Sequence, residues 1–176
     1  MIVTNSTVSA ELGCKINLAE FSSQTWNIEY KPKKFNAAFL RFRSPKATCL
    51  LFSNGKINCL GTKKFSDAKK AIRKCARKLQ KFGYLPSIKN LKLSNIAAYH
   101  NLEIKLDLDK LDECLGLSSS YEPELFCGLI YTFGASCKAT VHNSGKINLT
   151  GSVHEKELRR NLNVLLEKII DFLLLP

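Results

Sequence analysis

Positions 35–43 alternate in character. Phe35, Ala37, Phe39 and Arg41 point one way along an extended chain, and Ala38, Leu40 and Phe42 the other. This period of two predicts a strand, and Ser44-Pro45 ends it. Two more strands, 47–52 and 56–60, flank Asn54-Gly55, a strong hairpin signal. The period then changes. Ala68, Ala71, Ile72, Cys75, Ala76, Leu79 and Phe82 recur at helical spacing, with Ser66 as the expected N-cap and Gly83 as the terminating glycine. The opposite face of this helix is cationic: Lys69, Lys70, Arg73, Lys74, Arg77, Lys78 and Lys81.

The same order of elements returns. Strands are expected at 138–142 and 146–150 around Asn143-Ser144-Gly145. A second helix follows, with a Ser152/Glu155 capping box and an apolar stripe of Leu158, Leu162, Leu165, Leu166, Ile169, Ile170 and Leu173. The tail IIDFLLL reads as the buried end of that helix. The return is visible residue by residue. GKINCLG at 55–61 reappears as GKINLTG at 145–151, and KINL at 15–18 as KLDL at 105–108. Asn5 matches Asn95, and EYKPKKFNAAFLRF at 29–42 lines up with SYEPELFCGLIYTF at 120–133. One residue is lost between Phe133 and His142. A repeat this long is a duplicated half-domain and not a solenoid. The expected halves are 1–87 and 88–176, each opening on a short polar strand around Asn5 or Asn95. Strands in series closed by one helix argue an α+β fold, with an antiparallel sheet and helices on one face.

Alternation then assigns the other, open face. The helix side reads Ala38, Leu40, Phe42, Cys49, Leu51, Ile57, Cys59, Ile147 and Leu149. The open side reads Phe35, Phe39, Arg41, Arg43, Thr48, Leu50, Phe52, Lys56, Asn58 and Leu60, with Phe126, His142, Lys146, Asn148 and Thr150 in the second half. Most phenylalanines are core residues. Here their phase, and their recurrence in both halves, argue for rings that stack on or wedge between bases.

Charge sharpens that reading. The chain of 176 residues carries a formal net charge of +12. Residues 1–87 hold 17 Lys+Arg against 4 Asp+Glu, whereas 88–176 hold 10 against 11. So basic a half suits a polyanion, and nucleic acid is the commonest one. The bland alternative is a solvated surface. The seven cysteines form no CxxC pair and sit mostly in apolar runs, which predicts reduced, buried thiols, Cys127 among them as a small packing residue. No metal site, cofactor or catalytic residue is expected, because neither His nor Cys spacing suits a metal and no carboxylate pair has a supporting cluster. No apolar run reaches the ~18 residues of a membrane span, and the opening MIVTNSTVSAELG lacks the basic flank of a secretory signal.

The segments YKPKKFNAAFLRFRSPKAT, LLFSNGKINCLG, KKAIRKCARKLQKFGY, SSYEPELFCGLIY and HNSGKINLTG resemble the TATA-box-binding protein family. SYEPELF followed by GLIY is specific, since the fold does not require its Glu-Pro-Glu loop. The resemblance implies a saddle: two tandem repeats form one curved antiparallel sheet, with DNA on the concave face and helices on the convex face. Wedging rings that kink duplex DNA are this family's own described behaviour, carried over here by resemblance. By position the wedges are Phe35 with Phe52, and Phe126 with His142. The minor-groove set is Asn5, Thr7, Asn58, Leu60, Asn95, Ala97, Asn148 and Thr150. Phosphate contacts fall to Lys34, Arg41, Lys46, Lys56 and Lys146.

The loop Tyr121, Glu122, Glu124 and Leu125 corresponds to the family's docking site for general transcription factor IIB. The basic helix corresponds to a surface for factor IIA or repressors. TBP-associated or polymerase-specific factors, double-stranded promoter DNA and a nuclear location complete the implied picture, with no membrane and no enzymatic step. The chain also departs from the family. Thr7, Asn58, Ala97 and Asn148 stand where the groove floor is usually apolar, and His142 replaces a wedge phenylalanine. These departures favour a first half that grips DNA more strongly than the second. They also raise an alternative: a divergent paralogue that acts mainly as a protein-assembly platform with relaxed TATA preference.

Overall fold

The structure is a computed structural model, and residues 1–174 are described. Leu175, from the IIDFLLL tail, and Pro176 lie outside the described residues. Two compact units result: Asn5–Ser94, and Met1–Thr4 together with the chain from Asn95 onward.

The unit Asn5–Ser94 is built from β1 (Ile2–Glu11), α1 (Leu18–Ser23), β2 (Ile28–Tyr30), β3 (Ala38–Phe42), β4 (Ala47–Leu51), β5 (Lys56–Thr62) and α2 (Phe65–Lys81). Its strands lie in the order β2-β3-β4-β5-β1, antiparallel throughout. Alternation works as the pattern demands. Ala38, Leu40, Cys49, Leu51, Ile57 and Cys59 are buried against Ala68, Ala71, Ile72, Cys75 and Leu79 of α2. Each large side chain so buried contributes roughly 1.5–3 kcal/mol. Phe42 is half-buried, and Phe82 closes the helix end edge-on against Phe21 at 5.2 Å.

The second unit is built from β6 (Lys89–Asn101), α3 (Leu108–Leu115), β7 (Ser119–Ser120), β8 (Gly128–Phe133), β9 (Cys137–His142), β10 (Lys146–Ser152) and α4 (Glu155–Leu173). Its order, β6-β10-β9-β8-β7, mirrors the first. Leu129, Val141, Ile147 and Leu149 are buried on the side that faces Leu158, Leu162, Leu165 and Ile169.

Several boundaries differ from expectation, each for a local reason. The strand expected at 35–43 begins only at Ala38. Before it, the amides of Lys34 and Phe35 bond back to the Lys31 carbonyl at 2.9 and 3.0 Å, closing a turn, and Ala37 is buried instead of sharing Phe35's exposure. The polar opening strands are long, at 10 and 13 residues. Ser6 hides one of them from a hydrophobicity reading: it is buried, and its hydroxyl bonds the Thr62 carbonyl at 2.9 Å. Ser66 is not the cap of α2; extended Lys64 is, without a side-chain bond. At α4 the cap is His154, and Ser152 pairs with Glu157, not Glu155, while accepting from the His154 amide at 3.0 Å. The helix end is not buried either: Ile170, Leu173 and Leu174 are exposed. The cysteines divide. All seven are free, with Cys49, Cys59, Cys75 and Cys137 buried, but Cys114 and Cys127 are exposed, so Cys127 is no packing residue.

Candidate nucleic-acid interface

In each unit the expected ring and amide side chains lie in the strand phase opposite the helix-packed one, or at the strand ends, whereas Lys46 lies beside α2 with Lys70, Arg73 and Lys74 around one pocket. In the first unit Phe35 is 46% exposed and lies against Phe39, ring centroids 5.4 Å apart. Phe52 is half-exposed just beyond β4, where its amide closes the hairpin on the Lys56 carbonyl at 3.0 Å. In the second unit Phe126 is 45% exposed and meets His142 edge-on, centroids 6.5 Å apart. The His142 ring also shares a 3.1 Å hydrogen bond with the Asn148 amide group.

Gly128, which pairs across the sheet with His142, makes room for this second cluster. A Cβ there would stand 2.8 Å from the Thr140 methyl, 3.0 Å from the Phe126 ring and 3.3 Å from His142. Its counterpart in the first unit is Ala37, so the glycine belongs to the second cluster alone. Sequence reasoning passed over it; a glycine two residues beyond an exposed ring was the available signal.

Asn5 and Asn95 have structural work as well as a place on this face. The Asn5 side-chain Oδ1 accepts the Gly61 amide at 2.7 Å, and Asn95 Oδ1 accepts the Gly151 amide at 2.9 Å. Both acceptors hold register shifts where β5 and β10 pass their neighbours. Gly151 is required there: its φ is +99°, and a Cβ would lie 2.0 Å from the Ser136 carbonyl oxygen. The side-chain nitrogens differ. That of Asn95 donates to Thr150 at 2.9 Å, whereas Leu60 at the matching position offers Asn5 no acceptor. Thr7, Asn58, Leu60, Ala97 and Asn148 are half-buried, and Thr150 is exposed. Tyr99, opposite Asn148, shares this face and was not singled out, although it keeps the phase of Ala97.

The basic candidates are all exposed. Lys34 rides the turn before Phe35, Lys46 the turn between β3 and β4, and Lys56 and Lys146 open β5 and β10. Lys146 stands 5.4 Å from the Tyr99 ring. Arg41 is the one already engaged: it pairs with Glu29 at 2.9 Å and lies 5.8 Å from the Phe39 ring. Glu29 also receives Lys31 at 2.6 Å. First Lys31 and then Arg41 hold its carboxyl below the ordinary range. Such an exposed cluster is screened by solvent and contributes little to stability. Tyr121 is half-buried; Glu122, Glu124 and Leu125 are exposed on a turn closed by Leu125 and Phe126 amides on the Glu122 carbonyl at 3.0 and 2.9 Å.

Among the described residues no group of three or more His, Cys, Asp or Glu is placed to hold a metal ion. No described helix is long and apolar enough to cross a membrane.

Repeated antiparallel units, each with exposed rings and cations beside its sheet, are an architecture found among DNA-binding proteins of the β-sheet class. The sequence matches the family described as transcription factor TFIID (or TATA-binding protein, TBP) over residues 1–82 and 90–172. The chain belongs to this family. It is 39% identical over 158 residues to TATA-box-binding protein 1 of Triticum aestivum, covering 89% of the chain and 68% of that relative. It is 36% identical over 169 residues to the TATA-box-binding protein of Saccharomyces cerevisiae, covering 96% of the chain and 70% of that relative. Among solved structures, Methanococcus jannaschii TBP superposes with a TM-score of 0.78 at 31% identity, covering 97% of this chain and 98% of that one. The fold, two α+β repeats with antiparallel strands, is the family's fold.

Proposed function

We propose that this chain is a general transcription initiation factor that binds promoter DNA through the minor groove, bends it, and recruits further factors. The observation that carries the reading is the recurrence of an exposed ring cluster on the helix-free face of both units, Phe35–Phe39 and Phe126–His142. The functional repeats are 1–87 and 88–176. Phe35, Phe52, Phe126 and His142 press into base steps. Unstacking costs a few kcal/mol per step, offset by the wide fit against the opened groove. Lys34, Arg41, Lys46, Lys56 and Lys146 neutralise phosphates and release counterions. Asn5, Thr7, Leu60, Asn95, Ala97 and Thr150 line the groove. Asn58 and Asn148 admit the guanine amino group, so preference for A·T pairs is relaxed.

The loop Tyr121, Glu122, Glu124 and Leu125 takes factor IIB, and the α2 basic face takes factor IIA; TBP-associated or polymerase-specific factors follow on the assembled complex in the nucleus. No bond is made or broken.

A second reading, a paralogue serving mainly as an assembly platform, is favoured by the hydrogen bond that ties His142 to Asn148 and by Leu60 beside Asn5. A mobility shift on A·T-rich duplexes, combined with a fluorescence-transfer bend assay, separates the two. Saturable binding with a bend is expected. Capture of factor IIB with no duplex preference supports the platform, and saturation without a bend rules the wedging mechanism out.

A further inference from the structure

His142 ends β9, and Asn148 lies on the neighbouring strand β10. Asn148 pairs in register with Thr140, so its amide and the His142 ring share one strand phase. Asn148 Nδ2 stands 3.1 Å from His142 Nε2. An amide NH2 carries donors only, so the ring nitrogen accepts and the ring's proton sits on Nδ1. This is the geometry of a neutral imidazole. Asn148 Oδ1 makes no hydrogen bond among the described residues, and the side chain is half-buried, which leaves that oxygen open to a ligand.

A protonated ring cannot keep this contact. Both of its nitrogens then carry hydrogen, and two donors face each other. A half-turn of the amide removes the conflict: Oδ1 comes to the ring and the NH2 swings outward. Protonation of His142 thus exchanges the acceptor that Asn148 presents for a donor. Histidine is the side chain whose charge changes between about pH 5 and 8. The elements around it carry both signs. Lys138 shares β9, Lys146 opens β10, and Tyr99 of β6 stands opposite Asn148. Tyr121, Glu122, Glu124 and Cys127 belong to the segment that carries Phe126. In this phase β8 brings no charge, only Gly128, Ile130 and Thr132.

We propose that His142 is a proton-operated positioning residue: its charge state turns the Asn148 amide and so decides which base pair the second repeat accepts. This switch rests on the minor-groove reading of the same face. Every base pair shows acceptors in the minor groove, and guanine adds an amino donor. With the ring neutral, the outward Oδ1 takes the guanine amino group, and a G·C pair is tolerated. With the ring charged, the outward NH2 suits adenine N3 and thymine O2, and it meets the guanine amino group donor to donor. A fall in pH therefore sharpens the preference for A·T. The first repeat provides an internal control. Where the second has His142 and Asn148, the first aligns Phe52 and Asn58. A phenylalanine ring has no nitrogen to dictate the amide's orientation, so the switch belongs to the second repeat alone.

The test measures dissociation constants at about pH 8 and about pH 5.5, at one ionic strength. The probes are an A·T-rich duplex and the set in which each A·T pair in turn is replaced by G·C. The quantity read is the ratio of constants between a replaced duplex and its parent. That ratio cancels the general gain in affinity that an added cation brings at low pH. For at least one replaced position, the preference for A·T is expected to grow by about fivefold or more at the lower pH. In His142→Phe and in Asn148→Ala the ratio stays constant with pH. His154→Asn, which removes the histidine at the start of α4, keeps the parent's pH dependence. Duplex binding whose ratios do not move with pH overturns the switch and leaves the minor-groove reading standing. A ratio that moves as much in His142→Phe as in the parent does the same. Absence of duplex binding at both pH values overturns the reading, and the switch with it.

Discussion

The turn at 31–35 in the first unit and the turn at 122–126 in the second have the same backbone. In each, two successive amides bond to one carbonyl, that of Lys31 or Glu122, at distances between 2.9 and 3.0 Å. A tyrosine precedes both, proline follows in both, and a half-exposed phenylalanine closes both. Their charges are opposite. The first reads Lys-Pro-Lys-Lys-Phe, the second Glu-Pro-Glu-Leu-Phe, with Leu125 80% exposed. The two copies thus share the tyrosine, the proline turn and the ring, and differ at the remaining positions. Under the proposed function, the basic copy faces a polyanion and the acidic copy a protein. The same division runs through the rings, since Phe39 backs Phe35, whereas His142, tied to Asn148, backs Phe126.

If the first copy grips DNA and the second mainly presents a partner surface, Phe35→Ala weakens formation of the bent complex by about tenfold or more, given ~1–3 kcal/mol per stacked ring. Phe126→Ala costs much less. Dissociation constants on one duplex measure both, and equal losses would break the asymmetry.

Grafting the acidic loop onto the first copy, Lys33→Glu with Lys34→Leu, is expected to weaken DNA binding several-fold at low salt. It should also lower the salt slope by about one unit for each phosphate left without its cation. The reverse graft, Glu122→Lys with Glu124→Lys, leaves DNA affinity equal or higher while removing capture of factor IIB in a pull-down. Should the reverse graft retain the factor, the second loop is not its docking site.

Gly128→Ala crowds Thr140 and Phe126 and is expected to cost about 1–3 kcal/mol. Ala37→Gly, at the matching position, costs less; calorimetric melting compares them. The smallest effect belongs to Leu60→Thr, which gives the Asn5 nitrogen the acceptor that Thr150 gives Asn95. A gain of ~0.5–1.5 kcal/mol in urea unfolding is the expected size of one such bond.

Much of this was legible beforehand because both periods are strong. Alternation separated Leu40, Cys49, Leu51 and Ile57 from Phe35, Phe39, Asn58 and Lys56, and the structure buries the first set and exposes the second, fully or partly. The misses arose where local geometry outweighs pattern. A proline turn over 31–35 took Phe35 out of the strand expected at 35–43, and Ser6 was buried by a hydrogen bond that hydrophobicity does not register. Gly128 matters through space it leaves for two side chains distant from it in reading order, His142 and Thr140. The exposure of Trp26 and of the α4 end likewise depends on what does not pack there, which no periodicity encodes.

The claim underlying all of this is that duplex DNA meets the helix-free faces. A photocrosslinking residue placed at Asn58, at Asn148, or at Arg73 on α2 tests it directly. The account predicts crosslinks to duplex DNA from Asn58 and Asn148 and none from Arg73. Crosslinks confined to Arg73 would contradict it.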